Sequence, residues 1–188
     1  MKPLIKIIIL LLVTNFSYSQ NKSDKTPVNK PKTSLKNSNF IGWQDLSWES
    51  TEATVKQKYN GQLSILPTIE KYGESYCPFE IQNYELGFDT FKVSFLFNEK
   101  TKKLVQVNVK KEDPINIRKT VQNIEVSLTE KYGKPIIKEE SPEYITKWLF
   151  PELSIQLSYV DMKAGGVQIS KTIFLIYKNP EKTKINKF

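Results

Sequence analysis

Two neighbouring segments of this chain alternate apolar and polar residues, and this pattern constrains the fold more than any other feature. From Phe91 to Phe97 every second residue is phenylalanine or valine, and from Val105 to Val109 every second residue is valine. The polar run 98–103 lies between them. Period-two alternation on both sides of a polar turn is typical of a half-buried antiparallel hairpin. The chain is therefore expected to build its core on an antiparallel sheet.

Further strand segments lie on both sides of this hairpin. Pro67 places the first of them at a sheet edge, because proline has no N–H to donate to a second neighbouring strand. Gly73 and Pro78 separate the first two segments, and Gly165-Gly166 supplies the flexible point of the last turn. We predict these strands at 65–72, 79–86, from 136 onwards, 144–150, 155–159 and 167–177.

Two segments have the pattern of amphipathic helices. The first spans 51–60, with Ser50 or Thr51 as its N-cap and with Val55 and Tyr59 on one face. The second spans 114–132 and is bounded by strong signals. Asp113 is expected to cap it, Pro114 to occupy its first position and Gly133 to end it. Its apolar residues form one stripe at Ile117, Val121, Ile124, Leu128 and Tyr132.

The order of these elements, helix then strands and again helix then strands, predicts an α+β domain. We expect an antiparallel sheet with two helices packed on one face. The ends of the helices echo each other, since Lys58-Tyr59-Asn60-Gly61 is similar to Lys131-Tyr132-Gly133. Two diverged helix-plus-four-strand repeats would explain the echo, and a chance match of a few residues is the alternative.

Three features of the chain resemble small exported bacterial envelope proteins. A Trp-bearing segment, 41–56, leads into the first helix; Lys131-Tyr132-Gly133-Lys134-Pro135 precedes the second set of strands; and Trp148 lies on one of them. The layout is similar to the α/β repeats of BamE-like outer-membrane assembly lipoproteins and of β-lactamase inhibitory protein. The chain departs from that pattern in having Glu49 where a glycine is usual and in lacking a lipid-attachment cysteine. The resemblance implies a binding or scaffolding domain.

The start of the chain has the features of an export signal. Two lysines precede a short apolar run, and Ser17 and Ser19 place small residues before a cleavage point. A retained membrane anchor is the alternative, but a spanning helix needs roughly 20 apolar residues. We predict a signal peptide at 1–19, a disordered lysine-rich linker at 20–39, one domain at 40–177 and a basic tail at 178–188. The protein is then periplasmic or extracellular, without a lipid anchor and without stable membrane insertion.

The formal charge of +8 lies in the terminal segments and not in the domain. Residues 1–39 have a net charge of +6, residues 178–188 of +3, and residues 40–177 of −1. The chain has a single arginine, Arg118, although arginine is the residue that best recognises bases and phosphates. These observations argue against a nucleic-acid partner.

The chain lacks most of the residues that catalysis uses. It has no histidine, so histidine-based zinc sites and Ser-His or Cys-His nucleophiles are excluded. Its one cysteine, Cys77, is expected to be a buried thiol, and an intermolecular disulfide is the alternative. No cofactor motif is present. We therefore expect a protein that is not an enzyme. A hydrolase that uses carboxylates is the alternative, with Glu139, Glu140 and Glu143 as its candidates.

The most informative exposed residues are expected to be aromatic and amide side chains. Exposed tryptophan suits protein contact, and the polar face of an antiparallel sheet is a second candidate surface. The alternative for the tryptophans is ordinary packing in the core. The predicted binding surface comprises Trp43, Trp48, Lys92, Gln106, Asn108 and Gln156. The function that we expect is non-catalytic binding or scaffolding with another protein as partner, and a small-ligand or lipid carrier is a further alternative.

Overall fold

A computed structural model of the chain describes residues 41–87, 89–139 and 144–180. The predicted signal peptide, the linker and most of the basic tail lie outside these residues. The elements, in chain order, are α1 (Glu52–Lys58), β1 (Leu63–Tyr72), β2 (Ser75–Leu86), β3 (Asp89–Asn98), β4 (Leu104–Glu112), α2 (Ile117–Tyr132), β5 (Ile137–Glu139), β6 (Tyr144–Phe150), β7 (Leu153–Ala164) and β8 (Val167–Lys178).

The eight described strands form one open sheet in the order β1-β2-β3-β4-β8-β7-β6-β5. Every neighbouring pair is antiparallel. Each helix precedes four strands that pair in chain order, and the two groups meet where β4 pairs with β8. The predicted α+β class with an antiparallel sheet and two helices is confirmed.

The core lies between the helices and one face of the sheet. Directly paired residues on adjacent strands share a face, and the central row consists of Phe95, Val107, Tyr177, Ile155 and Trp148. Tyr59 at the end of α1 packs on the ring of Phe95, with 5.6 Å between the ring centroids. At the other end of the row, Trp148 Nε1 donates to the carbonyl of Gly133, which ends α2. Both helices therefore cover the same face.

Helix α1 begins as its sequence predicts. Thr51 is extended and its hydroxyl accepts a hydrogen bond from the N–H of Thr54 at 3.4 Å. Val55 and Tyr59 are both buried. The helix ends at Lys58, two residues before the predicted end, and Gly61 follows with a left-handed φ of 78°.

Helix α2 has the predicted apolar stripe but begins later than predicted. All five residues of the stripe are buried, and Gly133 ends the helix. The prediction that Asp113 caps the helix is wrong. Its φ of 45° lies in the left-handed region, whereas an N-cap residue has an extended backbone. Asn116 caps the helix instead and accepts from the N–H of Lys119 at 3.0 Å. Pro114 is buried ahead of the helix rather than in its first turn.

Strand β2 begins earlier than predicted and contains Pro78. The prediction of a break at this proline is wrong because the pairing of β2 with β3 shifts register between Tyr76 and Glu80, which is where proline is tolerated in a strand. Pro67 does lie on an edge strand, as predicted.

Cys77 is buried on β2. Its thiol donates to the backbone carbonyl of Phe79 at 3.4 Å, and burial raises the pKa of the thiol to about 11.

Candidate functional site

The second face of the sheet is covered by neither helix. Its residues alternate with the core residues along the central strands, and most of them are partly exposed. We call this surface the open face; its residues on the central strands and β6 include Lys92, Ser94, Gln106, Asn108, Lys110, Glu112, Lys147, Gln156, Ser158, Phe174, Ile176 and Lys178.

Four of the six residues predicted for the binding surface lie together on the open face. Asn108 pairs with Ile176, and Gln156 pairs with Ile176 from the other side. Gln106 lies two residues from Asn108, and its Nε2 donates to Asn108 Oδ1 at 2.7 Å. Lys92 lies on the adjacent strand β3. The centre of the open face therefore presents a row of amide groups.

The two predicted tryptophans lie elsewhere. Trp43 is buried on the helix side, with its ring 5.5 Å from that of Tyr84 and 5.7 Å from that of Phe95. Trp48 is also buried, and its indole N–H donates to the backbone carbonyl of Glu152. Both tryptophans therefore pack in the core, which was the alternative to an exposed binding role in the sequence analysis. They do not contribute to an exposed surface.

Two carboxylates of the open face are neutralised within the chain. Glu80 is buried and bridges to Lys92 at 3.4 Å, and the side chains of Gln82 and Ser94 also donate to its oxygens. The second carboxylate belongs to Glu112. The Lys110 ammonium donates to it at 2.5 Å, and this hydrogen bond lowers the pKa of Glu112. Because these charges are paired, Glu80 and Lys92 support the sheet more than they attract a partner.

Two lysines of the open face have no such partner. Neither Lys147 nor Lys178 forms an ion pair with a described residue. They lie on opposite sides of strand β7, Lys147 opposite Gln156 and Lys178 opposite Ser154. Neither lysine was predicted from the sequence, although each is adjacent to a buried aromatic residue in an alternating segment. That alternation is the signal that could have found them.

A groove deepens the open face towards the β1–β2 hairpin. Its volume is about 790 Å³. The exposed Tyr72 and the polar Ser75 line it from the hairpin, and Gln106, Asn108 and Lys178 line it from the central strands. The groove thus joins two of the predicted residues to one of the unpaired lysines.

Apolar side chains complete the open face on the side of β8 and β7. Phe174 and Ile176 are partly exposed between the polar rows. Beyond them, residues 160–171 pair only within the β7–β8 hairpin and with no other described strand. We call this segment the arm. Val160 and Met162 extend the open face along this arm, and both are exposed. The open face therefore combines apolar, amide and charged side chains.

The carboxylates considered for hydrolysis are only partly described. Glu139 is exposed at the end of β5, and Glu140 and Glu143 lie outside the described residues. No cluster of three or more acidic, cysteine or histidine residues that could hold a metal occurs in the described segments. Within those segments, no helix is both long enough and apolar enough to cross a membrane.

Comparison of the chain with protein-family models, curated proteins and solved structures found no match. Its function must therefore be inferred from the surfaces described above.

Proposed function

We propose that this chain is an exported, non-catalytic binding module of the bacterial envelope or secretome, and that its open face binds another protein. The observation that carries the proposal is the clustering of Gln106, Asn108 and Gln156 beside two unpaired lysines on a sheet face that neither helix covers. Three further features of the open face support it: the groove of about 790 Å³, the partly exposed Phe174 and Ile176, and the arm at 160–171.

The charges of the open face indicate the chemistry of the partner. Burying an ammonium group without a counter-charge is costly, so an interface that covers Lys147 and Lys178 must supply carboxylates to them. The amide row can donate to and accept from backbone groups of a partner loop. We therefore expect the partner to present a loop that carries aspartate or glutamate and apolar side chains.

The proposal is tested by capturing the partner and then measuring its affinity. The full chain is cross-linked in its native organism, the captured protein is identified, and its binding to purified wild-type protein is measured by calorimetry. Lys147→Glu and Lys178→Glu should each weaken binding at least about tenfold, because a like charge replaces an attractive pair across the interface.

Lys119→Glu is the matched control, since it makes the same charge change on exposed α2, on the other side of the sheet. It should leave the affinity unchanged. Equal affinity for all three variants and wild type would show that the partner does not use the open face.

Export is the second part of the proposal and is supported by the predicted signal peptide at 1–19. Protein recovered from the periplasm or the medium should begin at Gln20 by N-terminal sequencing. Recovery of the intact N-terminus from the membrane fraction would favour a retained anchor.

We also infer that the two halves descend from one helix-plus-four-strand unit. The order of elements supports this, as does the equivalent position of Tyr59 and Tyr132, each buried where its helix ends. Gly61 and Gly133 follow the helix ends, and both have a positive φ. The halves meet through their last strands, β4 and β8.

A further inference from the structure

A cavity of about 440 Å³ lies beside α2, on the side of the sheet opposite to the open face. We call it the α2 cavity. Its apolar wall is formed by Ile124, Leu128 and Leu175, which come from the helix and from the central strand β8. Its rim is polar and includes Asn123 and Ser127. The volume lies within the range of small-molecule sites, roughly 300–1,000 Å³.

The Tyr177 hydroxyl in the lining of the cavity can donate a hydrogen bond to a bound molecule. Tyr177 lines the cavity and is only 7% exposed. Its hydroxyl forms no hydrogen bond with a described residue. Of the described buried side-chain polar atoms, only Thr146 Oγ1 lacks a partner, so the Tyr177 hydroxyl is accessible to solvent where Tyr177 lines the cavity. A bound molecule with a hydrogen-bond acceptor can take the place of water there.

The charge of the cavity restricts what it can accept. Burial raises the pKa of Tyr177 far above its ordinary value, so the hydroxyl is a neutral donor. At the rim, Asp89 is already paired with Lys111 at 3.1 Å and accepts from the Thr120 hydroxyl at 3.2 Å. The rim also carries the carboxylate of Glu130, and no lysine or arginine of the described residues lines the cavity. An anion would therefore be repelled rather than held.

From these observations we propose that the α2 cavity binds a small, uncharged and mostly apolar molecule with one carbonyl-type acceptor, which receives a hydrogen bond from the Tyr177 hydroxyl. The apolar part of the molecule packs on Ile124, Leu128 and Leu175. This site is separate from the open face, so it neither requires nor excludes the proposed protein partner.

The test uses the full chain and a neutral fluorescent probe, N-phenyl-1-naphthylamine, whose emission rises in apolar sites. The wild type should bind the probe, and 2-octanone should displace it more strongly than octane does. Tyr177→Phe keeps the ring and removes the hydroxyl. It should weaken displacement by the ketone about two- to tenfold, the equivalent of one hydrogen bond, and leave displacement by octane unchanged.

Two helix variants keep the test independent of Tyr177. Ser127→Trp places a large ring on the rim of the cavity and should abolish probe binding, and Gln122→Trp, on the same helix but outside the cavity lining, should not. Circular dichroism checks that both variants are folded. The proposal is overturned if the wild type does not bind the probe, if Ser127→Trp binds it as wild type does, or if Tyr177→Phe responds to the ketone as wild type does.

Discussion

At the scale of single residues, Gly42 occupies a position where the backbone leaves no room for a side chain. Its φ is 77°, and a Cβ atom there would lie 1.7 Å from the carbonyl oxygen of Leu46. The turn it belongs to holds Trp43 against the core, with hydrogen bonds in both directions between Trp43 and Leu46. Gly42→Ala should therefore destabilise the protein by more than about 4 kcal/mol, or prevent folding, because backbone atoms must move apart.

Gly61 is a matched control for this prediction. Its φ is 78°, nearly the same, but no atom lies within 4 Å of the position that a Cβ would take there. Gly61→Ala should cost only about 1–2 kcal/mol, the usual penalty for a left-handed alanine. Urea unfolding of both variants measures the difference. Similar losses in the two variants would mean that the close approach of Leu46 does not matter.

Cys77 provides a second prediction at this scale. The thiol is 1% exposed and burial raises its pKa to about 11, so the native protein should have almost no reactive thiolate near neutral pH. A disulfide reagent such as dithionitrobenzoate should therefore label it only at the rate at which the protein unfolds. Labelling in guanidinium chloride controls for the reactivity of the thiol itself. Fast labelling of the native protein would contradict the prediction.

At the scale of elements, α2 is capped by Asn116 and not by the predicted residue, Asp113. Asn116 accepts from the Lys119 N–H, whereas Asp113 has a left-handed backbone and does not cap the helix. Asn116→Ala should thus destabilise the protein by about 1 kcal/mol. Asp113→Gly should be neutral or slightly stabilising, since glycine adopts a positive φ without strain. A larger loss for Asp113→Gly than for Asn116→Ala, measured by urea unfolding, would restore Asp113 as the cap.

The elements that the sequence predicts well are those whose pattern is local. The stripe of α2 and the hairpin of β3 and β4 follow from periodicity alone, because each periodic face must be buried. The limits of β2 could not be predicted, since Pro78 is tolerated only because of a register shift against β3. Likewise β7 runs to Ala164, five residues beyond its predicted end, because it continues into the arm, whose residues 160–167 are exposed and have no core to signal them. Strand β8, in contrast, was predicted at 167–177 and spans Val167–Lys178.

The candidate site was predictable in the same way, strand by strand. Alternation placed Lys92, Gln106 and Asn108 on a polar face, and the pairing of the strands brings them together. It could not show that Trp43 and Trp48 turn inwards, because their segment has no period. The α2 cavity was not predictable either, since it depends on how closely the helix approaches β8.

At the scale of the whole molecule, the titrating groups determine how stability depends on pH. The chain has no histidine, so no side chain has an ordinary pKa between 5 and 8, and the free energy of unfolding should change little in that range. The groups with raised pKa values lie higher. Burial raises the pKa of Cys77 from 9.0 to about 11. Burial and a hydrogen bond to Glu52 raise the pKa of Tyr76 from 10.0 to about 12.

The direction of the effect follows from proton counting. Below about pH 8.5 these groups are protonated in both the folded and the unfolded chain, and they contribute no pH dependence. Between the unfolded and folded pKa values the unfolded chain holds fewer protons, so the free energy of unfolding falls as pH rises. Tyr144 and Tyr177, whose pKa values burial also raises, act in the same direction. The protein should therefore be stable at neutral pH and lose stability steadily above about pH 9.

Two variants identify which groups are responsible, through the slope of the urea midpoint against pH. Cys77→Ala should reduce the slope from about pH 9 upward, and Tyr76→Phe only from about pH 10, because the unfolded thiol ionises first. Comparing slopes rather than midpoints removes the constant cost of each substitution. A midpoint that stays level to about pH 10.5 would mean that the buried thiol and phenols ionise as readily in the folded protein as in the unfolded chain. The packing of the core around them would then be looser than their burial implies.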